Sequence, residues 1–133
     1  MIAMKKIMIV DDNPSLILTV KTGFQEIAAG YDIIEAKSGN ECFELLRQGK
    51  IPDLILLDIM MPMMDGWEVQ RKLREHPQWK HIPVIFLTAK TDSISKQIGS
   101  IVSKDYIEKP FEIVDLKKRV DSVLTEVKKN QTM

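Results

Sequence analysis

Four short, mostly apolar segments of this sequence each lead directly into charged or hydroxyl-bearing residues. The segments are 6–10, 54–57, 84–87 and 105–108, and the residues that follow or end them are Asp11 and Asp12, Asp58, Thr88, and Lys109. Charged side chains rarely lie in an apolar core, so these positions mark the ends of buried segments. If the segments are parallel strands, their carboxyl ends share one edge of the sheet, where three carboxylates, a hydroxyl and an ammonium would meet. We therefore expect the functional site in this crevice.

The chain has 133 residues, of which 44% are hydrophobic and 29% charged, as in one soluble globular domain. We expect a single domain over residues 1–133, with a core at about 5–128 and a polar tail at 129–133. The net charge is zero, so we expect neither nucleic acid nor membrane as a direct partner. Cys42 is the only cysteine, and no apolar run reaches the roughly 18 residues that a membrane helix needs. These features predict a cytoplasmic protein.

Segments of strand and helix character alternate five times along the chain. The segments 54–57 and 84–87 are continuous apolar runs, as expected for parallel strands that helices cover on both faces. Right-handed crossovers then give a doubly wound α/β fold with five parallel strands and five helices. We apply the flavodoxin-like strand order 2-1-3-4-5, which places the ligand crevice between strands 1 and 3.

Three carboxylates in one crevice need a source of positive charge, because two negative charges about 4 Å apart repel by about 4 kcal/mol at an effective dielectric of about 20. No Cys or His lies at the strand ends, so the ligands are hard oxygens, which suit Mg²⁺. Mg²⁺, the Lys109 ammonium and the Thr88 hydroxyl are what a phosphoryl group with negative oxygens requires. One carboxylate can act as nucleophile and form an aspartyl phosphate, and Asp58 is the natural candidate because it stands alone at the centre.

The four strand-end motifs are Asp11-Asp12, the segment Asp58-Ile-Met-Met-Pro-Met-Met-Asp-Gly66, Thr88-Ala89 and Lys109-Pro110-Phe111. With these motifs, the second of which is very specific, the chain resembles the receiver domain of two-component response regulators, of a stand-alone, chemotaxis-regulator-like kind. The resemblance covers about residues 5–128. It implies that Asp58 accepts a phosphoryl group from a sensor histidine kinase and switches an output surface toward an unknown downstream protein. It implies self-catalysed phosphorylation but no separate enzyme activity.

The same resemblance implies the metal ligands. Asp12 and Asp58 would bind Mg²⁺ directly, together with the backbone carbonyl of Met60. Asp11 would act through a bound water. Asp58 would thus be both a ligand and the phosphoryl acceptor.

The resemblance also implies a switch. Lys109 would contact the phosphoryl group, and its peptide bond to Pro110 would be cis. Thr88 would close over the phosphate, and Tyr106 would swing inward behind it. Because phosphorylation adds about −1.5 to −2 charges and new acceptor oxygens, Thr88 would hydrogen-bond only the phosphorylated form.

The stretch from Thr88 to Lys109 departs from the family pattern by one missing residue. Ile94, Ile98 and Ile101 give the helix within it an apolar stripe, but its serines, isoleucines and glycine have poor helix propensity. We expect this fourth helix to be short or mobile and to border the output surface.

Two positions bear on the lifetime of the phosphoryl group. Met60 and Lys90 follow Asp58 and Thr88 by two residues, positions that influence water access to the phosphate in the family. Neither side chain accepts a hydrogen bond from an attacking water, so we expect slow self-dephosphorylation. We interpret the four methionines at positions 60, 61, 63 and 64 as adaptable packing beside the site.

Three other functions are open at this point. A haloacid-dehalogenase-like phosphatase needs a second acid two residues after its nucleophile, where this chain has Asn13 after Asp11 and Met60 after Asp58. A flavodoxin-like FMN binder needs a Ser/Thr/Gly-rich phosphate loop after strand 1, where this chain has acids that would repel the phosphate. A phosphorylation-independent interaction module would not need the complete set of acids. We expect a monomer or a weak, phosphorylation-dependent dimer, either a stand-alone receiver or a part of a longer regulator.

Overall fold

The computed structural model describes residues 4–27 and 30–131. Its elements are β1 (Lys5–Val10), α1 (Pro14–Ile27), β2 (Tyr31–Ala36), α2 (Gly39–Arg47), β3 (Leu54–Leu57), α3 (Gly66–Glu75), β4 (Val84–Thr88), α4 (Ser93–Val102), β5 (Asp105–Glu108) and α5 (Ile113–Gln131). The strands form one parallel sheet in the order β2-β1-β3-β4-β5. The predicted fold class and strand order are both confirmed.

Side chains of the central strands enter two apolar cores, one on each face of the sheet. In β1, Met8 and Val10 join the core beneath α2 and α3, whereas Ile7 and Ile9 join the core beneath α1 and α5. All four side chains are at most 1% exposed. Each such burial contributes about 1.5–3 kcal/mol, so the central strands form a firm platform for the residues at their ends.

The register of the sheet brings the predicted site residues together. Val10 pairs with Leu57, and the Asp58 amide then donates to the Val10 carbonyl at 3.0 Å. Between β4 and β5, the Lys109 amide donates to the Thr88 carbonyl at 2.9 Å. The residue after β3 and the residue after β5 are therefore each fixed by a hydrogen bond to the neighbouring strand.

The helices other than α4 agree with the sequence patterns except at their margins. Asn13 caps α1 by accepting the Ser15 amide at 3.0 Å, and Pro14 occupies the first helical position as predicted. Helix α5 continues to Gln131, into the segment predicted as a polar tail, whose last two residues lie outside the described part. Within the described ranges, no helix has the length and apolar character needed to cross a membrane.

Helix α4 differs most from its sequence pattern. It has ten residues, as many as α3, so it is not shortened, and its mobility stays a prediction. The predicted apolar stripe of Ile94, Ile98 and Ile101 exists but faces solvent. The residues that α4 buries are Ser95 and Gly99.

Candidate functional site

Three carboxylates converge at the carboxyl ends of β1 and β3. One carboxylate oxygen from each of Asp11, Asp12 and Asp58 lies within 4.8 Å of the other two. Asp11 and Asp58 are buried, at 1% and 5% exposure, whereas Asp12 is exposed. The strand ends therefore hold two buried carboxylates, Asp11 and Asp58, in fixed positions. The third carboxylate, Asp12, lies on the solvent side of the cluster.

The ammonium of Lys109 lies within the same cluster. Its Nζ donates to Asp11 Oδ2 at 2.7 Å and lies 3.7 Å from Asp58 Oδ2. The side chain is 19% exposed, so the pair with Asp11 is largely shielded from water. One ammonium among three ionised carboxylates leaves two negative charges uncompensated.

The pKa of Asp58 is raised above its ordinary value. Burial is the main cause, and the nearby charge of Asp11 adds to it. Hydrogen bonding from Thr88, the charge of Lys109 and the Met60 amide, which donates to Asp58 Oδ1 at 3.3 Å, oppose the rise only in part. Thr88 thus interacts with Asp58 without a phosphoryl group, so the prediction that it hydrogen-bonds only the phosphorylated form is wrong. Asp58 is thus a carboxylate that gains from any further cation placed beside it.

The donor set fits a hard divalent cation. Carboxylate oxygens with a solvent-facing side suit Mg²⁺, which uses few protein ligands and keeps several waters. The two uncompensated charges of Asp11, Asp12 and Asp58 equal the charge of such an ion. The acid cluster could therefore hold Mg²⁺. Met60, whose backbone carbonyl is the other predicted ligand, lies two residues after Asp58 in the same loop.

Gly66 sets the path of the loop that follows Asp58. A Cβ atom at position 66 would lie 2.4 Å from the Asp58 carbonyl oxygen and 2.7 Å from Ile59 Cα. The Gly66 amide donates to the Ile59 carbonyl at 2.9 Å. Asp65, the residue before Gly66, caps α3 by accepting the Glu68 amide at 2.9 Å.

The methionines of this loop divide into two pairs. Met61 and Met64 are buried, as the packing interpretation predicted. Met60 and Met63 are 59% and 96% exposed, so that interpretation is wrong for them. Met63 also has a φ of 70°, in the left-handed region that few non-glycine residues adopt.

Thr88 and Tyr106 are joined through Lys90. The Thr88 side chain is fully buried, and its hydroxyl oxygen accepts the Lys90 amide at 3.3 Å. The Tyr106 hydroxyl donates to the Lys90 carbonyl at 2.6 Å, with the Tyr106 residue only 8% exposed. Tyr106 therefore occupies the inward position in this structure. No sequence signal identified Lys90 as this link, because its backbone makes both contacts.

The remaining predicted feature is the peptide bond after Lys109. The bond between Lys109 and Pro110 is cis. The residues that the structure brings to one edge of the sheet are Asp11, Asp12, Asp58, Thr88 and Lys109. Tyr106 lies on β5 opposite Phe86, which is two residues before Thr88 in β4.

Residues 7–121 match the family described as the response regulator receiver domain. Among curated relatives, the probable cyclic di-GMP phosphodiesterase of Vibrio cholerae is 44% identical over 119 residues, covering 89% of this chain and 26% of that protein. The alkaline phosphatase synthesis transcriptional regulatory protein PhoP of Bacillus subtilis is 37% identical over 121 residues, covering 90% of this chain and 48% of that protein. The chain thus spans between a quarter and a half of the length of these relatives.

Solved structures give the same likeness. The chemotaxis protein CheY4 of Vibrio cholerae superposes with a TM-score of 0.78 at 34% identity, over 91% of this chain and 99% of that chain. The signal receiver domain of a signal transduction histidine kinase from Syntrophus aciditrophicus superposes with a TM-score of 0.81 at 34% identity, over 93% of this chain and 92% of that chain.

Proposed function

The chain belongs to the response regulator receiver domain family, whose role is phosphoacceptor signalling, and we propose that Asp58 is its phosphoryl acceptor. The observation that carries this proposal is the placement of buried Asp58 within 4.8 Å of two other carboxylate oxygens and beside the Lys109 ammonium. With a divalent cation held by the acids, that cation and the Lys109 ammonium would stabilise negative charge that develops on a transferring phosphoryl group. The proposed donor is the phosphohistidine of a sensor histidine kinase.

The transfer makes one bond and breaks one bond. An Asp58 carboxylate oxygen attacks phosphorus as the phosphorus–nitrogen bond of the donor breaks, and the imidazole nitrogen keeps the electron pair and takes up a proton. Mg²⁺ bound by the acid cluster would supply positive charge to the phosphoryl oxygens. Lys109 supplies the second positive charge, and its bond to Asp11 at 2.7 Å holds the ammonium in place before the substrate arrives.

We propose that the metal roles follow from which carboxylates are already paired. Asp12 is exposed, and Asp58 Oδ2 stands 3.7 Å from the Lys109 ammonium, so these two carboxylates are the direct ligands, together with the Met60 carbonyl. Asp11 is 1% exposed and already accepts bonds from Lys109 and from the Asn13 amide, at 2.7 and 2.9 Å. Asp11 therefore acts through a water and fixes the position of Lys109.

Thr88 and Tyr106 form the proposed switch. Inverting a 1:99 population of two loop states takes about 5.5 kcal/mol, and one hydroxyl bond to a charged oxygen supplies about 1.5–3 kcal/mol. The remainder comes from Lys109, the cation and the seating of Tyr106, or the switch is partial. The hydrogen bonds of Lys90 to both residues provide the mechanical link.

Labelling with acetyl phosphate tests the acceptor. With Mg²⁺ present, the wild-type chain should gain the mass of one phosphoryl group, and Asp58→Asn should gain none. Asp53→Asn is the matched control, because Asp53 is exposed and accepts the Lys6 amide at 2.8 Å, which asparagine can also do. Labelling of Asp58→Asn at the wild-type level would disprove the assignment.

A further inference from the structure

Helix α4 meets the sheet through its smallest residues. Ser95 and Gly99, one turn apart, are its buried positions. Ile94, Ile98 and Ile101 are 69%, 47% and 81% exposed. A short helix gains most of its stability from packing an apolar face against the rest of the protein. The apolar face of α4 is exposed to solvent instead. The apolar contact that holds α4 must therefore come from side chains of the sheet.

The ring of Tyr106 occupies the space beside Gly99. A Cβ atom at position 99 would lie 2.3 Å from Tyr106 Cδ2 and 2.5 Å from Cε2. The ring also packs against Phe86, with 5.9 Å between the ring centroids, and Phe86 Cδ2 would lie 3.5 Å from the same Cβ atom. Phe86 is fully buried and leaves the tyrosine ring little room to retreat. The inward ring thus fits because residue 99 has no side chain.

Hydrogen bonds connect the same ring to the candidate phosphorylation site. The Tyr106 hydroxyl donates to the Lys90 carbonyl at 2.6 Å, and the Lys90 amide donates to the Thr88 hydroxyl at 3.3 Å. Hydrogen bonding from Thr88 in turn lowers the pKa of Asp58. The Lys90 ammonium lies 3.3 Å from Asp92, which caps α4. Contiguous contacts therefore join Asp58 to both the ring and the start of α4.

We propose that Gly99 is a positioning residue for the switch: it is the opening in α4 that admits the inward Tyr106 ring, so that α4 docks on the sheet only while the ring is seated. The proposal rests on the proposed function in one respect, that the state of Asp58 biases the position of Tyr106. When the ring leaves, Gly99 faces a gap that no side chain of α4 can fill, and α4 loses its main apolar contact. The inward ring and the docked helix form one two-state element.

A substitution cycle tests the contact between Gly99 and the ring. In a helix without such a contact, replacing glycine by alanine raises stability. Here Gly99→Ala should lower the melting temperature, whereas the same change in a Tyr106→Val background should raise it. Ser100→Ala, on the exposed face of α4, is the matched control and should have the same small effect in both backgrounds. If Gly99→Ala does not fold, recovery of folding in the double variant supports the same contact.

The two tyrosines of the sequence make the ring position directly observable. With ring-labelled tyrosine, Gly99→Ala should shift the Tyr106 resonances toward those of an exposed tyrosine. Tyr31, whose ring packs on Phe24 at 5.3 Å between centroids, should not change and serves as the internal reference. A merely structural role for Gly99 would lower the melting temperature without this selective shift.

Beryllofluoride with Mg²⁺, a stand-in for the phosphoryl group, completes the test. Because coupling is reciprocal, Gly99→Ala should weaken its binding by about five-fold or more and still allow saturation. Equal stabilisation by Gly99→Ala in both backgrounds, an unchanged Tyr106 spectrum, or unchanged affinity would each overturn the proposal. If the wild-type chain does not bind beryllofluoride, the proposed function fails, while the substitution cycle and the ring spectra still decide the role of Gly99.

Discussion

The Lys109 ammonium bonds to Asp11, at 2.7 Å, and stands 3.7 Å from Asp58. The partly buried lysine therefore neutralises the acid that supports the site and leaves the acceptor carboxylate comparatively open. This division explains how the cluster can keep Asp58 available to a phosphoryl group while the other buried acid stays paired.

Lys109→Ala should destabilise the domain in the absence of Mg²⁺ and increase its response to Mg²⁺. Asp11, at 1% exposure, would lose its partner, which costs about 3 kcal/mol for a buried ion pair broken on one side. Added Mg²⁺ should recover much of that loss, because it finds three acids without a competing ammonium. Phosphoryl acceptance should nevertheless fall at least about ten-fold, since one positive charge is missing from the transition state. Thermal unfolding with and without Mg²⁺, together with acetyl phosphate labelling, measures all three effects.

Lys117→Ala is the control for that substitution. Lys117 pairs with Asp121 at 2.6 Å on the surface of α5, where such pairs contribute less than about 1 kcal/mol. Equal losses of melting temperature in the two variants, or no added response to Mg²⁺ in Lys109→Ala, would contradict this account.

Asp58→Asn should stabilise the domain at neutral pH when Mg²⁺ is removed by chelation. Because the pKa of Asp58 is raised in the folded state, its protonated form is favoured there, and the stability linked to this group is lost as the pH rises through that pKa. The amide carries no charge to desolvate, so the melting temperature should rise by a few degrees. The gain should shrink as the medium is acidified and wild-type Asp58 takes up a proton. A lower melting temperature for Asp58→Asn at neutral pH would count against this reading of the site.

Gly66→Ala should disrupt both the fold of the loop and metal-dependent phosphorylation. The new Cβ would meet backbone atoms of Asp58 and Ile59 at 2.4 and 2.7 Å, and backbone cannot move cheaply. We expect a loss of about 2–3 kcal/mol, measured by urea unfolding. Gly39→Ala is the control, because its Cβ would meet side chains rather than backbone, those of Met64 at 2.6 Å and Val69 at 2.9 Å. If the two alanine variants were equally stable, the close approach of Gly66 would not be what shapes the loop.

Met60→Asn should shorten the lifetime of the phosphorylated state several-fold. Met60 is 59% exposed, so the change leaves the core intact and adds an amide that can orient an attacking water. Met63→Asn is the control: Met63 is 96% exposed in the same loop, and asparagine tolerates its φ of 70°. The decay of phosphorylated protein after removal of the donor gives the rates. A wild-type rate as fast as that of Met60→Asn would refute slow self-dephosphorylation.

The sheet and the acid cluster were readable from sequence for one physical reason. Strands buried on both faces must be apolar throughout, so Asp58 after 54–57 and Asp11 after 6–10 stood out as strand ends. Parallel strand order then required these two acids to be neighbours. That the Lys109 ammonium prefers Asp11 to Asp58 depends on side-chain geometry, which no sequence pattern contains.

Helix α4 shows where sequence reasoning failed. Periodicity grouped Ile94, Ile98 and Ile101 on one face, but it does not say which face meets the sheet. The face that meets the sheet carries Gly99, and the Tyr106 ring of β5 occupies the space where a larger side chain at position 99 would lie. The deciding contact joins residues seven positions apart on different elements, so no local pattern announces it.

The central claim, that Asp58 is the acceptor in a Mg²⁺-dependent site, is tested most directly by titrating the isotope-labelled domain with beryllofluoride and Mg²⁺ and following its backbone chemical shifts. We predict saturable shifts around Asp58, Thr88 and Lys109 that extend into α4, retained in Asp53→Ala and absent in Asp58→Ala. Saturable shifts of the same pattern in Asp58→Ala, or their loss in Asp53→Ala, would contradict the account.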